Sequence, residues 1–149
     1  MENWISWSIV VASLIHIFEE YYGGWINWVQ KYAKGVKLSH FVMVNLVFVG
    51  LCVVASICDS LLFKLSIASL LFANSILHIV PTFIFRHYSP GIWSAILLYL
   101  PLSFLSFYAA WLDNSLTFRN AFSALLIGIL IMTLPISAQF FRIFVINRK

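Results

Sequence analysis

Five long apolar stretches constrain this chain more than any other feature of its sequence. Each is close to the roughly 20 residues that an α-helix needs to cross the hydrocarbon core of a bilayer. An open sheet cannot cross lipid because its edges leave backbone groups unpaired, and no barrel-like alternation is present. The sequence therefore predicts an all-α fold, a single domain over residues 1–149 with five transmembrane helices. Their predicted positions are about 4–22, 39–58, 61–85, 90–112 and 119–144.

The composition supports an integral membrane protein. Hydrophobic residues make up 62% of the chain and charged residues 9%, whereas soluble domains are about 25% charged. A water-soluble fold of this size has too little polar surface to cover so many apolar side chains. The net charge of +4 lies in the predicted connections, so it indicates membrane topology and no nucleic-acid partner.

Lysine and arginine in those connections give an orientation, because cytoplasmic connections carry an excess of both. One side of the predicted bundle has seven cations and the other has two, Lys64 and Arg119. The sequence therefore predicts that the N-terminus lies outside and the C-terminus lies in the cytoplasm. The seven are Lys31, Lys34, Lys37, Arg86, Arg142, Arg148 and Lys149.

The connection after the first stretch has a pattern of its own. Its apolar residues recur at helical spacing, while Lys31 and Lys34 fall on the other face. This pattern predicts a short amphipathic helix over 24–38 that lies at the membrane interface. The apolar residues are Trp25, Trp28, Val29, Tyr32 and Val36.

A histidine and two adjacent glutamates interrupt the first apolar stretch, in the sequence HIFEE at 16–20. On a helix, Glu19 and Glu20 flank His16 on one side. Ionisable groups at membrane depth are costly and usually functional. The triplet can ligate a metal or carry out acid–base chemistry. Alternatively, the helix ends at residue 18 and the glutamates lie among lipid headgroups.

The third stretch has a matching polar stripe, since Asn74, His78 and Thr82 are spaced by four residues. The predicted orientation puts His78 in the same half of the bundle as His16. We therefore predict that the two histidines face each other across two helices. Arg86 and Tyr88 would lie at the cytoplasmic mouth of this site.

Three motifs in this order, HIFEE, the histidine of NSILH at 74–78 and YSPG at 88–91, resemble the HXXEE-domain family. That family comprises small bacterial and archaeal integral membrane proteins, and no function is assigned to it. The resemblance implies a prokaryotic inner-membrane location. The motif residues it implies are His16, Glu19, Glu20, His78, Tyr88, Pro90 and Gly91, and Asn74 and Ser94 also match family positions.

The leading functional hypothesis is a membrane enzyme that acts on a lipid or isoprenoid-like substrate. Half-buried histidines and carboxylates suit proton transfer, as in a double-bond isomerase or cyclase. They also suit a zinc or iron site that activates water for hydrolysis. The predicted catalytic or metal-binding residues are His16, Glu19, Glu20 and His78, and the predicted substrate-binding residues are Asn74, Thr82, Arg86, Tyr88 and Ser94.

Two alternatives stay open from the sequence. The same ligands can hold a metal or haem as cargo in a carrier, without turnover. The chain can also be a structural partner subunit of a membrane complex, which needs no buried acid–base set.

Overall fold

The computed structural model describes residues 3–146, with side chains as far as Ala138 and that of Phe141. Within this range the chain is helical and has no β-strand, as the sequence predicts. Arg142, Arg148 and Lys149, three cations used to predict the orientation, lie outside the described side chains. The described helices are α1 Asn3–Tyr22, α2 Trp25–Val29, α3 Leu38–Ile57, α4 Leu61–Phe85, α5 Ile92–Leu112 and α6 Phe118–Ile146.

The five long helices run up and down the bundle in sequence order, so their connections alternate between two ends. We call the end with residues 23–37 and 86–91 the site end, and the end with residues 58–60 and 113–117 the far end. Helix α4 packs against α5 and α6, while α1 packs against α3 and α5. As a result, the last turns of α1 and α4 meet the first turn of α5 at the site end.

Four of the described helices, rather than five, are long and apolar enough to cross a membrane. The prediction of five was wrong at α1. That helix has 20 residues, but His16, Glu19 and Glu20 reduce its apolar character. The four are consistent with a membrane protein, and the orientation stays a prediction. They are Leu38–Ile57, Leu61–Phe85, Ile92–Leu112 and Phe118–Ala138.

The predicted amphipathic helix over 24–38 is much shorter in the structure. Helix α2 covers Trp25–Val29, and turns occupy most of the remaining connection. The ring of Trp25 lies 5.2 Å from that of Phe41, and Val36 is buried. Trp25 therefore packs against α3, while the Tyr32 ring lies 6.0 Å from that of Phe85 in α4. The depth of these aromatic residues in a membrane stays a prediction.

Helix α5 contains a π-helical stretch, Ala95–Tyr99. Pro101 follows at once and has no N–H to donate, so regular α-helical pairing is interrupted here. Ser75 of α4 donates a hydrogen bond to the carbonyl of Ala95 (3.2 Å). The stretch ends with Tyr99 fully buried in the core.

The main hydrophobic core lies in the middle of the bundle, next to the site end. It brings together buried side chains from four helices, including Ile9 of α1, Cys52 of α3, Leu71 of α4 and Tyr99 of α5. Polar residues beside this core are therefore shielded from water on that side.

Candidate functional site

Two histidines and a glutamate converge at the site end. His16 and Glu20 come from the last turns of α1, and His78 comes from α4. The imidazole rings lie edge to face, with centroids 4.9 Å apart. Glu20 Oε1 is 3.7 Å from His16 Nε2 and 3.5 Å from His78 Nε2. All three side chains are buried, so the predicted meeting of the two histidines is confirmed.

Two serine hydroxyls hold the opposite edges of the imidazole rings. His16 Nδ1 lies 2.8 Å from Ser94 Oγ, and His78 Nδ1 lies 3.0 Å from Ser89 Oγ. Both serines belong to the segment that enters α5 and are buried. Each ring is therefore fixed at Nδ1, and each Nε2 points toward Glu20.

The adjacent glutamate has a different role from Glu20. Glu19 Oε2 accepts hydrogen bonds from the Ser94 N–H (2.7 Å) and hydroxyl (2.5 Å). Glu19 Oε1 accepts from the Trp93 N–H (3.0 Å) and from Tyr88 Oη (3.1 Å). Two of these donors are backbone groups at the start of α5 that have no partner within the helix. Glu19 therefore caps α5 from outside and lies apart from the cluster of His16, Glu20 and His78.

The hydrogen bonds to Glu19 also assign the proton on His16. A carboxylate only accepts, so the Ser94 hydroxyl donates to Glu19 and is left to accept from His16 Nδ1–H. The neutral ring then carries a lone pair on Nε2. That nitrogen is buried and has no hydrogen-bond partner among the described residues.

Tyr88 closes the outer side of this arrangement. Burial and the negative charge of Glu19 raise the pKa of the Tyr88 phenol, so the hydroxyl stays a hydrogen-bond donor. It lies on the exposed surface of the connection between α4 and α5. Tyr88 bonds to Glu19 and is not among the residues that line the cavity, so its place at the mouth of the site stays a prediction.

Gly91 forms one wall of the cluster. Its φ of +97° is in the left-handed region that favours glycine. A Cβ at this position would lie 2.8 Å from His16 Cε1, 2.9 Å from Glu20 Cγ and 2.9 Å from His78 Cε1. On another side, the Tyr99 ring packs 4.4 Å from that of His16. Only a residue without a side chain lets the three groups approach one another here.

A partly enclosed, mainly apolar cavity of about 580 Å³ adjoins the cluster. Glu20 and His78 form part of its wall, whereas His16 lies behind them. The size is within the roughly 300–1,000 Å³ of small-molecule sites. The remaining wall comes from α2, α3, α4 and α6 and includes Trp25, Trp28, Phe41, Asn74, Met132 and Pro135.

The predicted substrate-binding residues divide into two groups. Asn74 lines the cavity, and its buried Oδ1 has no hydrogen-bond partner among the described residues. Thr82 donates to the carbonyl of His78 (2.8 Å) and takes no part in the cavity wall. Arg86 ends α4 in a left-handed conformation and is exposed. Ser94 faces Glu19 and His16 rather than the cavity.

Sequence reasoning missed two residues that contact the histidines, Ser89 and Tyr99. Ser89 occupies the variable position of YSPG, so the motif gives no reason to select it. Tyr99 is an aromatic residue within an apolar stretch, where core packing is the ordinary reading. A signal for Ser89 was its place between two motif residues, Tyr88 and Pro90.

Comparisons with known proteins give a family and no function. No curated protein and no solved structure matches the chain. A family model described as "Protein of unknown function with HXXEE motif" matches residues 7–106. The matched range contains every residue of the cluster and its supporting bonds. The chain therefore belongs to the HXXEE family.

Proposed function

We propose that the chain is an integral membrane enzyme that acts on a lipid or isoprenoid-like substrate at the His16, Glu20 and His78 cluster. One observation carries the proposal: a buried set of proton-transfer groups forms part of the wall of an apolar cavity. Apolar walls suit a hydrocarbon chain, and a few convergent polar groups give orientation and chemistry.

The roles follow from position. Glu20 and His78 reach the cavity, so they are the groups that contact substrate. His16 lies behind Glu20 and adjusts its proton affinity and orientation. The unpaired Oδ1 of Asn74 suits a substrate hydroxyl or amide donor beside the reacting groups. Proton transfer between substrate and Glu20 or His78 is common to an isomerase, a cyclase and a hydrolase.

The carrier alternative has partial support from the same cluster, because its ligands can hold a metal as cargo. Axial ligation of haem has less support, since Glu20 lies beside both Nε2 atoms, where the porphyrin would have to fit. A purely structural role leaves the convergence of His16, Glu20 and His78 without a purpose.

Isotope incorporation tests the enzyme proposal without knowledge of the substrate. The full chain would be reconstituted in vesicles of total bacterial inner-membrane lipid, in D₂O or in H₂¹⁸O. We expect lipid species that gain deuterium or ¹⁸O with the wild type but not with Glu20→Gln. His87→Ala is the matched control, because His87 is exposed and its ring nitrogen lies 3.0 Å from the Arg86 carbonyl, away from the cluster. Identical lipid spectra for wild type and Glu20→Gln would refute the proposal.

A further inference from the structure

We propose that His16, Glu20 and His78 form a mononuclear site for a divalent first-row transition metal ion, zinc or iron(II), with one side open to the cavity. The inference deepens the proposed function by naming a cofactor class for the same cluster. It does not require turnover, so metal binding and enzyme activity can fail separately.

The spacing of the ligand atoms is the first argument. The distances from Glu20 Oε1 to the two Nε2 atoms, 3.5 and 3.7 Å, exceed the roughly 2.7–3.2 Å of a protein hydrogen bond. A tetrahedral ion with bonds of about 2.0–2.1 Å separates neighbouring ligand atoms by roughly 3.3 Å. The three ligand atoms lie within 4.8 Å of one another. Small side-chain adjustments would therefore bring all three into contact with one ion.

The tautomer of the His16 ring is the second argument. The Nε2 of His16 carries a lone pair, is buried and has no hydrogen-bond partner in the part of the chain that the structure describes. A buried acceptor normally finds a donor. A metal ion supplies the missing partner, because neutral imidazole nitrogen is a common metal ligand.

The surroundings of the ligands give the third argument. Histidines that bind metals usually donate the other ring N–H to an outer partner, which fixes the tautomer and the ring orientation. Here His16 Nδ1 is hydrogen-bonded to Ser94 Oγ, and Ser94 Oγ in turn donates a hydrogen bond to Glu19. His78 Nδ1 is bonded to Ser89 Oγ. Glu19 is thus a positioning residue that acts on His16 through Ser94.

The donor types and the geometry limit the ion. Two imidazoles and one carboxylate suit zinc, and the same set with open positions suits iron(II). Neither described cysteine joins the cluster, since Cys52 Sγ lies beside Ser13 and Cys58 follows α3 at the far end. Three protein ligands leave a position for water or substrate. The cavity lies next to this position, because Glu20 and His78 form part of its wall. This open position is typical of a catalytic rather than a structural site.

Metal loading of the full chain in detergent tests the inference. The protein would be stripped with a chelator, loaded with Zn²⁺, or with Fe²⁺ without oxygen, and analysed for metal per chain. Co²⁺ would report the ligand geometry through its visible absorption. We expect one ion per chain. Affinity should fall more than roughly 100-fold in His78→Ala and Glu20→Gln, beyond the 10–100-fold cost of an outer-shell change.

The controls separate the possible outcomes. His87→Ala should bind as the wild type does, and His78→Gln covers the case in which His78→Ala fails to fold. Wild-type protein that binds no more metal than Glu20→Gln would overturn the inference. Metal binding without isotope incorporation into lipid would support the metal site and refute the proposed enzyme activity. Incorporation that persists in fully stripped protein would keep the enzyme and overturn the role of the metal as its cofactor.

Discussion

The two ends of the bundle bury polar side chains in different ways. At the far end, serine hydroxyls donate to carbonyls of their own helix, as Ser66 does to Leu62 (2.8 Å) and Ser106 does to Leu102 (2.7 Å). At the site end, the corresponding bonds join distant parts of the sequence, and Glu19 contacts Ser94 across 75 positions. Polar groups bonded within one helix need no other helix, whereas groups that converge from several helices define a site.

Among the described residues, the far end also has a cross-helix hydrogen bond. Lys64 is buried, and its Nζ donates to Asn3 Oδ1 (3.3 Å). Around it, Leu65, Ala110 and Ala124 form a second, smaller apolar core. This bond pairs one donor with one acceptor, while the site end brings together two histidines, two glutamates and the start of α5.

Gly91→Ala should have the largest effect, because the new Cβ would contact all three members of the cluster. A non-glycine residue in a left-handed conformation costs roughly 1–2 kcal/mol before any clash is counted. We expect loss of the cluster's metal binding and a fall of roughly 3 kcal/mol in the free energy of unfolding. Metal per chain and thermal unfolding in detergent would measure the two effects.

Gly50→Ala is the matched control, since nothing lies within 4 Å of a Cβ at that position. In the interior of α3 it should stabilise the helix by up to about 1 kcal/mol. Equal behaviour of the two variants would mean that Gly91 is not a wall of the site.

Glu19→Gln should come next and should destabilise the fold more than Glu20→Gln does. The Glu19 carboxylate accepts four hydrogen bonds, and bonds to a charged group contribute about 1.5–3 kcal/mol each. Glutamine keeps one acceptor oxygen and turns an NH₂ group toward donors. We expect a loss of roughly 2 kcal/mol, or about 4–8 °C in the unfolding temperature for a chain of this size.

Glu20 makes no hydrogen bond among the described residues, so the nearly isosteric Glu20→Gln should leave the stability of the metal-free protein almost unchanged. The same substitution should abolish metal binding. If Glu20→Gln proved the less stable of the two variants in metal-free form, the division of roles between the glutamates would be wrong.

Much of the fold could be predicted from the sequence, because each long helix follows from an apolar stretch of membrane length. The predicted range 61–85 is the observed α4, where Ser60 accepts from the Phe63 N–H as an N-cap. The prediction failed at α1 because this helix has the length of a membrane span but not the apolar character. Its polar last turns belong to the site.

The pairing of His16 with His78 could also be predicted, from helical spacing and a common depth. The separate roles of Glu19 and Glu20 could not. Helical spacing places both beside His16, and the residue that distinguishes them, Ser94, lies on another helix. A helical wheel shows which residues share a face but not which partner that face meets.

Ser94→Ala should have an intermediate effect, confined to the site end. Without the hydroxyl, His16 Nδ1 loses its partner and the ring loses its fixed orientation. We expect metal affinity to fall roughly 10–100-fold, and stability to fall less than in Glu19→Gln, because only one of the four hydrogen bonds to Glu19 is removed. Chelator competition would measure the affinity. Ser106→Ala, which removes a bond within one helix, should bind metal like the wild type, and a similar loss in both would contradict a specific role for Ser94.

Lys64→Met should have the smallest effect. A buried amine that donates to Asn3 Oδ1 is replaced by an apolar chain of similar length, and such exchanges are often neutral or stabilising. We expect an unchanged metal content and a shift in unfolding free energy within about 1 kcal/mol. A loss of metal in this variant would show that the two ends are coupled and would contradict their separate roles.

The π-helical stretch sets the rotational phase of everything that follows it in α5. In a regular α-helix, side chains five positions apart point about 140° away from each other. With the wider turn between them, Ser94 and Tyr99 both touch the His16 ring. Rewinding Ala95–Tyr99 as a regular α-helix of the same number of residues would therefore do more than close a wide turn. It would rotate Leu100–Leu112 by about 100° against α4 and turn a different face toward the far-end core, so a change beside the site would be felt along the whole length of the bundle.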